Sequence, residues 1–293
     1  MLMMRMSQSS KLDGRLYTVT LSDKEFRRLS EFIHTECGIK MPPGKRTMLE
    51  GRLRKRLRDL GIGSFTEYYE YLLSPQGLAG EYVHMINVVT TNKTDFFREP
   101  AHFDYLVQKV LPQLVDCGLG VGRRLNVWSA GCSTGEEPYT LAIVLSEFAQ
   151  NYRSFDFSIL ATDISTKVLE KARTGIYDHD RVKPVSLFLR KRYLLRNKDR
   201  AKKLVRVAPE LRSKVRFQRV NFMDRKFGIS DKMAVIFCRN VLIYFDRPTQ
   251  EQVLARVCRH LIPGGYLFTG HSETLQGLNL PLTNVATTVY RKL

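Results

Sequence analysis

Five cysteines stand among 293 residues, and no two of them share a C-x-x-C spacing. Cys37, Cys117, Cys132, Cys238 and Cys258 are odd in number and scattered. That argues against a disulfide framework and a thiolate zinc site, and it suits a reducing cytoplasm. Long apolar runs are missing too, since none approaches the roughly 20 residues that cross a bilayer. The opening Met1-Leu2-Met3-Met4-Arg5-Met6 has no apolar segment or cleavage site of the signal-peptide kind. A cytoplasmic location without membrane insertion is therefore expected. G-x-G-x-x-G, a P-loop, a Ser-His-Asp arrangement and a paired-metal signature are absent, as are internal repeats and low-complexity tracts. The six histidines show no metal-ligand spacing, so no metal is expected. His102, His179 and His271 read as structural or solvated.

Acidic charge is scarce. Lys and Arg number 47 against 29 Asp and Glu, a formal net charge of +18. Residues 181–219 carry fifteen basic side chains against only Asp199 and Glu210, and a second cluster is Arg52, Arg54, Lys55, Arg56 and Arg58. Such fields attract nucleic acid, an anionic membrane surface or an acidic protein, and a solvated face is the plain alternative.

The length suits one large or two modest domains. Residues 1–19 lack periodicity and read as a mobile arm. From 20 to 90 the pattern is all-helical. Ser22 with Glu25 forms a capping box ahead of the stripe Phe26, Leu29, Phe32 and Ile33, which Gly38 ends. A helix over about 45–60 carries Leu49, Leu53, Leu57 and Leu60 on one face and stops at Gly61. Beside that stripe lie Lys45, Arg52, Lys55 and Arg56, open to a binding role or a solvated one. Ser64 with Glu67 caps a third helix, and 82–90 reads as a fourth.

A linker, 91–100, leads into 101–293, where strands and helices alternate after a helix over 102–115. Strands are expected at 125–128, 157–161, 215–220, 233–238 and 266–269, and helices at 136–149, 165–174 and 248–261. This alternation implies an α/β fold with a mostly parallel sheet. The Val- and Thr-rich run 284–290 reads as one antiparallel closing strand. Segments 193–195 and 204–207, joined by a polar turn at Asn197-Lys198-Asp199, read as a small antiparallel hairpin within about 186–214. Most of the positive charge sits there.

The most informative segment runs Trp128-Ser129-Ala130-Gly131-Cys132-Ser133-Thr134-Gly135-Glu136-Glu137. Strand, glycine turn and helix let a backbone approach a nucleotide-like ligand. Gly131 and Gly135 supply permissive dihedrals and leave no side chain in the ligand's way. Glu136 and Glu137 at the helix start would repel a pyrophosphate. They suit a cationic ligand with an adenosine end, and S-adenosylmethionine (SAM) fits. Asp163 ends the next strand, placed to accept from ribose hydroxyls or to cap the helix that follows. Arg239, Asn240 and Tyr244 follow a later strand among apolar neighbours, costly unless paired, which makes them site candidates. No N-P-P-Y or D-P-P-Y box appears, and Cys238, without a preceding proline, reads as a small buried hydrophobe. The linker holds Asn92, Thr94, Phe96, Phe97 and Arg98 and little flexibility, so it is a connector pinned by its aromatics or part of a site.

T-N-x-T-x-F-F-R-E, W-S-A-G-C-S-T-G-E-E-P-Y-T, A-T-D-I, V-L-E-K-A-R-x-G-I-Y, F-C-R-N-V-L-I-Y-F and G-H-S-E occur in that order from about residue 20 to the end. Together they closely resemble the chemotaxis receptor methyltransferases, the CheR-type family. The resemblance implies an all-α N-terminal domain, then a Rossmann-like SAM methyltransferase domain with a small antiparallel β-subdomain. It implies methyl transfer from SAM to glutamate side chains on cytoplasmic helices of chemoreceptors. By motif match, Asn92, Thr94, Arg98, Gly131, Glu137, Asp163, Asn221, Phe222, Arg239 and Asn240 would bind SAM. Arg98 and Tyr244 would sit nearest the transferred methyl, and Arg52, Lys55 and Arg56 would meet the receptor. Some members dock a receptor tether on the β-subdomain through a Gly-x-Gly turn; here that turn is Asn197-Lys198-Asp199-Arg200, so the charge there points to another acidic partner. Nucleic acid is not an expected partner, and a monomer is expected. Three rivals stay in view: a nucleic-acid methyltransferase, an NAD-type oxidoreductase and a SAM-binding regulator without turnover.

Overall fold

In the computed structural model residues 19–293 are described, and the expected N-terminal arm lies outside them but for its last residue. The chain divides into two compact units, Met1–Thr91 and Asn92–Leu293. The first is helical. Helix α1 (Asp23–Cys37) has the expected capping box, with Ser22 N donating to the Glu25 carboxylate at 2.9 Å, and ends on Gly38 at φ 72°. Helix α2 (Arg46–Leu60) buries Leu49, Leu53 and Leu57 and ends on Gly61 at φ 69°. Helix α3 (Phe65–Leu73) starts on Ser64 Oγ, and α4 is Tyr82–Val89. A π-helical turn, Gly77–Glu81, precedes α4 and carries a buried acid, Glu81. Tyr68 Oη donates to that carboxylate at 2.9 Å, and so does Arg56 Nε.

The second unit opens with helices α5 (Ala101–Tyr105) and α6 (Leu111–Asp116), joined by a π-helical turn. It continues as β1 (Leu125–Ala130), α7 (Glu136–Ala149), β2 (Phe157–Asp163), α8 (Thr166–Thr174) and β3 (Ile176–Asp178). Then come α9 (Leu187–Tyr193), β4 (Leu194–Arg196), β5 (Leu204–Val207), α10 (Pro209–Arg212) and β6 (Val215–Arg219). Last are β7 (Met233–Cys238), α11 (Arg247–His260), β8 (Leu261–Thr269), β9 (Leu282–Ala286) and β10 (Val289–Lys292).

The main sheet has the order β6-β2-β1-β7-β8-β10-β9. Its first five strands run parallel, while β10 pairs antiparallel with β8 and β9. The chain leaves β1 towards β2 on one side and later returns to β7 on the other. Loops after β1 and β7 therefore part at a topological switch point, where open α/β sheets hold ligands. One apolar cluster, with Val127, Leu141, Ile159, Phe237 and Phe268, fills one face; another, with Trp128, Ile236, Val253 and Leu267, fills the other.

Two expectations are corrected. The closing run is a hairpin rather than one strand, turning at Thr288, which takes φ 55° without a glycine to mark it. The inserted hairpin is a three-stranded sheet, β3-β5-β4, whose third strand, Ile176–Asp178, lies outside 186–214 and is too short to show a period.

Candidate functional site

The site grows from the carboxyl ends of β1, β2, β7 and β8. After β1 the backbone N–H groups of Gly131 and Cys132 both donate to Thr162 O at 2.8 Å, folding the turn back on β2. Gly131 has φ 89° and Gly135 φ 96°, as a glycine turn requires. Both glycines are also required by close packing. A Cβ on Gly131 would lie 2.3 Å from Val241 Cγ2, and one on Gly135 would lie 2.7 Å from Tyr177 Oη. Gly131→Ala is expected to destabilise the fold by about 1–3 kcal/mol through overpacking and left-handed strain. Urea unfolding measures it, and adding Val241→Ala should recover the packing part alone.

The two acids at the start of α7 separate. Glu136 is fully buried and spent within the protein: its Oε1 accepts from Arg181 Nη2 at 2.8 Å and its Oε2 from Thr134 Oγ1 at 2.6 Å. The expectation that both acids face a cationic ligand is thus corrected. Glu137 accepts from Ser129 Oγ at 2.7 Å, and its Oε2 lies 3.6 Å from Arg239 Nε. Burial pushes its pKa up, against the opposing pull of Arg239. A carboxylate with little solvation gains more from a cation than one in water.

Asp163 braces two loops, with Oδ2 accepting from Ser133 N and Oδ1 from Ser165 N, each at 2.9 Å. Burial raises its pKa as well. The cap of α8 is Ser165, whose Oγ accepts from Val168 N, so Asp163 is not needed in that role. Asn221 is buried, its Oδ1 accepting from Met223 N at 3.0 Å, and Phe222 packs against Phe227 and Phe245.

At the end of β7 the buried Arg239 donates to Arg98 O and lies 3.4 Å from Glu99 Oε2. Among the described residues its buried Nε and Nη1 have no hydrogen-bond partner, although Nε lies 3.6 Å from Glu137 Oε2. Asn240 takes φ 58° and donates its N–H to Glu273 Oε2 at 2.7 Å. Glu273 also accepts from Gly270 N at 2.6 Å and Ile243 N at 3.2 Å. This clamp went unread in the sequence, where its signal was the acid that closes G-H-S-E. Tyr244 ends the 3₁₀ turn Leu242–Tyr244 and is partly exposed.

The linker is pinned, by its aromatics and by hydrogen bonds along its length. Phe96 is buried edge-on against Tyr177, and Phe97 N donates to Thr140 Oγ1 at 3.1 Å. Ser133 Oγ donates to Asn92 O at 2.9 Å, Arg181 Nη2 to Thr94 O at 2.6 Å, and Arg98 Nη1 to Lys93 O at 3.1 Å. Glu99, His102 and His271 bring ligand-type atoms within 4.8 Å of one another. The Arg239 guanidinium already supplies positive charge to that carboxylate, and burial drives His102 down to about 4. Of the first unit's candidates, Arg52 Nη1 donates to Val89 O at 2.7 Å and Arg56 Nε to Glu81 at 2.9 Å, whereas Lys55 is exposed.

Chemically, the site joins an acid, Glu137, to orphaned donors on Arg239. That is the complement of the zwitterionic end of an amino acid such as the methionine portion of SAM. Comparison with known proteins agrees. The family description "CheR methyltransferase, SAM binding domain" matches residues 92–291, and "CheR methyltransferase, all-alpha domain" matches 24–90. The chain is 40% identical to the chemotaxis protein methyltransferase of Escherichia coli over 283 residues, covering 97% of this chain and 96% of that one. It is 38% identical to the one from Borreliella burgdorferi over 276 residues, 94% and 96% of the two chains. The one from Klebsiella aerogenes is 41% identical over 270 residues, 92% and 90% of the two. This chain belongs to the CheR family of SAM-dependent chemotaxis protein methyltransferases.

Proposed function

We propose that the protein esterifies glutamate side chains on cytoplasmic helices of chemoreceptors, forming glutamyl methyl esters in chemotaxis adaptation. The observation that carries this is the meeting of Glu137, the buried Arg239 guanidinium and the linker arginine Arg98 at the switch point of the sheet. SAM supplies an electrophilic methyl on a sulfonium. Glu137 and Arg239 hold the methionine end, Asp163 the ribose, and Asn221 and Phe222 border the adenine. Asn92, Thr94, Gly131 and Asn240 complete the enclosure. Arg98 orients the incoming carboxylate, and Tyr244 hydrogen-bonds beside it. A glutamate, with an ordinary pKa of about 4.3, is already ionised near neutrality, so the reaction needs no general base. Alignment in a site that excludes water is the protein's task.

Receptor recognition falls to α2. Lys55 is the solvent-facing candidate there, while Arg52 and Arg56 shape the surface from beneath through their internal bonds. The basic β-subdomain meets a further acidic partner. The protein works as a cytoplasmic monomer recruited to receptor arrays.

The test is incubation with methyl-labelled SAM and a chemoreceptor cytoplasmic fragment, followed by mild base. Release of the label as methanol is the expected result. Label that survives base, or that enters RNA instead, overturns the reading.

A further inference from the structure

We propose that Glu99 is a positioning residue for methyl transfer, its carboxylate gripping the ends of β7 and β8 so that Arg98 is held in a strained turn. The inference rests on the function proposed above. Phe97 and Glu99, on either side of Arg98, take φ 53° and 56° without being glycine. Such dihedrals persist only where the surroundings over-determine them, and they cluster where geometry is functional.

The surroundings here do so from three directions. Before Arg98, the Phe97 N–H is taken by Thr140 Oγ1 and the Phe97 ring packs edge-on against Phe103, 5.8 Å between centroids. At Arg98, the carbonyl accepts from Arg239. After it, Glu99 Oε1 accepts from Asn240 Nδ2 at 3.3 Å and from His271 N at 3.4 Å, while Oε2 faces the Arg239 guanidinium at 3.4 Å. One side chain thus ties the linker to both loops that follow β7 and β8.

His102 forms the back wall of this grip. His102 Nε2 lies 2.8 Å from Thr288 Oγ1. His102 Nδ1 lies 3.4 Å from Glu99 Oε2. Among the described residues the side chain of Arg98 bonds to Lys93 O, within its own linker, so the place of its guanidinium follows the backbone that Glu99 fixes.

The test compares Glu99→Ala and Glu99→Gln in the full chain, with methyl-ester formation and SAM affinity measured separately. Misplacing a reacting group by about 1 Å costs about a hundredfold in rate. Glu99→Ala is expected to lower kcat by about that factor while SAM affinity stays within about threefold of wild type. Glu99→Gln keeps acceptors for Asn240 and His271, and should recover at least about tenfold of the loss. Should Glu99→Ala fail to fold, Glu99→Gln carries the comparison, with kcat reduced at unchanged SAM affinity. Equal losses of kcat and SAM affinity would mark a merely structural role and overturn the inference, as would full activity in both variants. A wild-type chain that esterifies no glutamate sinks the functional reading first, and this inference with it.

Discussion

Arg98→Ala is expected to lower kcat for glutamate esterification by about a hundredfold. SAM affinity should move by no more than about threefold. The asymmetry follows from what the reaction demands. An anionic carboxylate meets a sulfonium, charge is neutralised on the way to the transition state, and no proton has to move. Stabilising developing charge therefore gives little. Bringing oxygen, methyl and sulphur into line gives most, and a planar guanidinium fork does that for a carboxylate by two parallel bonds. Arg98→Lys keeps the charge but loses the fork, so it should fall between wild type and alanine. Single-turnover rates with a receptor fragment, set beside calorimetric SAM binding, separate the two quantities. Equal losses in rate and affinity for Arg98→Ala would contradict an orienting role.

What could be read in the sequence follows the range of the forces involved. Ser22 with Glu25, Gly38 and Gly61 mark helix ends because capping is settled within four residues. Strand β7 reads plainly because an unbroken apolar run of six has nowhere to go but a doubly covered sheet. Ile176–Asp178 does not read, since three residues show no period and the strand exists only because β5 lies beside it. The hairpin at Thr288 hides for a similar reason. A β-branched residue with positive φ is held by its tertiary setting, here the bond from Thr269 N to Thr288 O at 3.0 Å. In the site, the glycine turn and the acids at the start of α7 were legible as a pattern. Their division of labour was not, because the partner of Glu136 lies 45 residues away on Arg181. Arg52 and Arg56 teach the same lesson on α2, where the charge pattern looked like a binding flank and long-range partners took the donors.

That partner of Glu136 carries the second large effect. Arg181→Ala is expected to destabilise the fold by about 3 kcal/mol, the low end of the range for breaking a buried ion pair. The low end applies because the Arg181 side chain is 38% exposed, so water replaces part of what it loses, whereas the Glu136 side chain, at 0%, is left with a buried charge and only Thr134 Oγ1. Urea unfolding gives the number. The same guanidinium also donates to Thr94 O at 2.6 Å and to Asp95 at 3.2 Å, so its loss removes an anchor from the first half of the linker that Glu99 secures at the other end. A double variant separates the two roles. Arg181→Met with Glu136→Gln removes both charges and should recover most of the stability, since the penalty is mainly the stranded carboxylate. It should not recover the esterification rate, because the anchor on Thr94 is still missing. Recovery of both would show that the linker is fixed without Arg181, and that Arg181 serves the charge of α7 and nothing else.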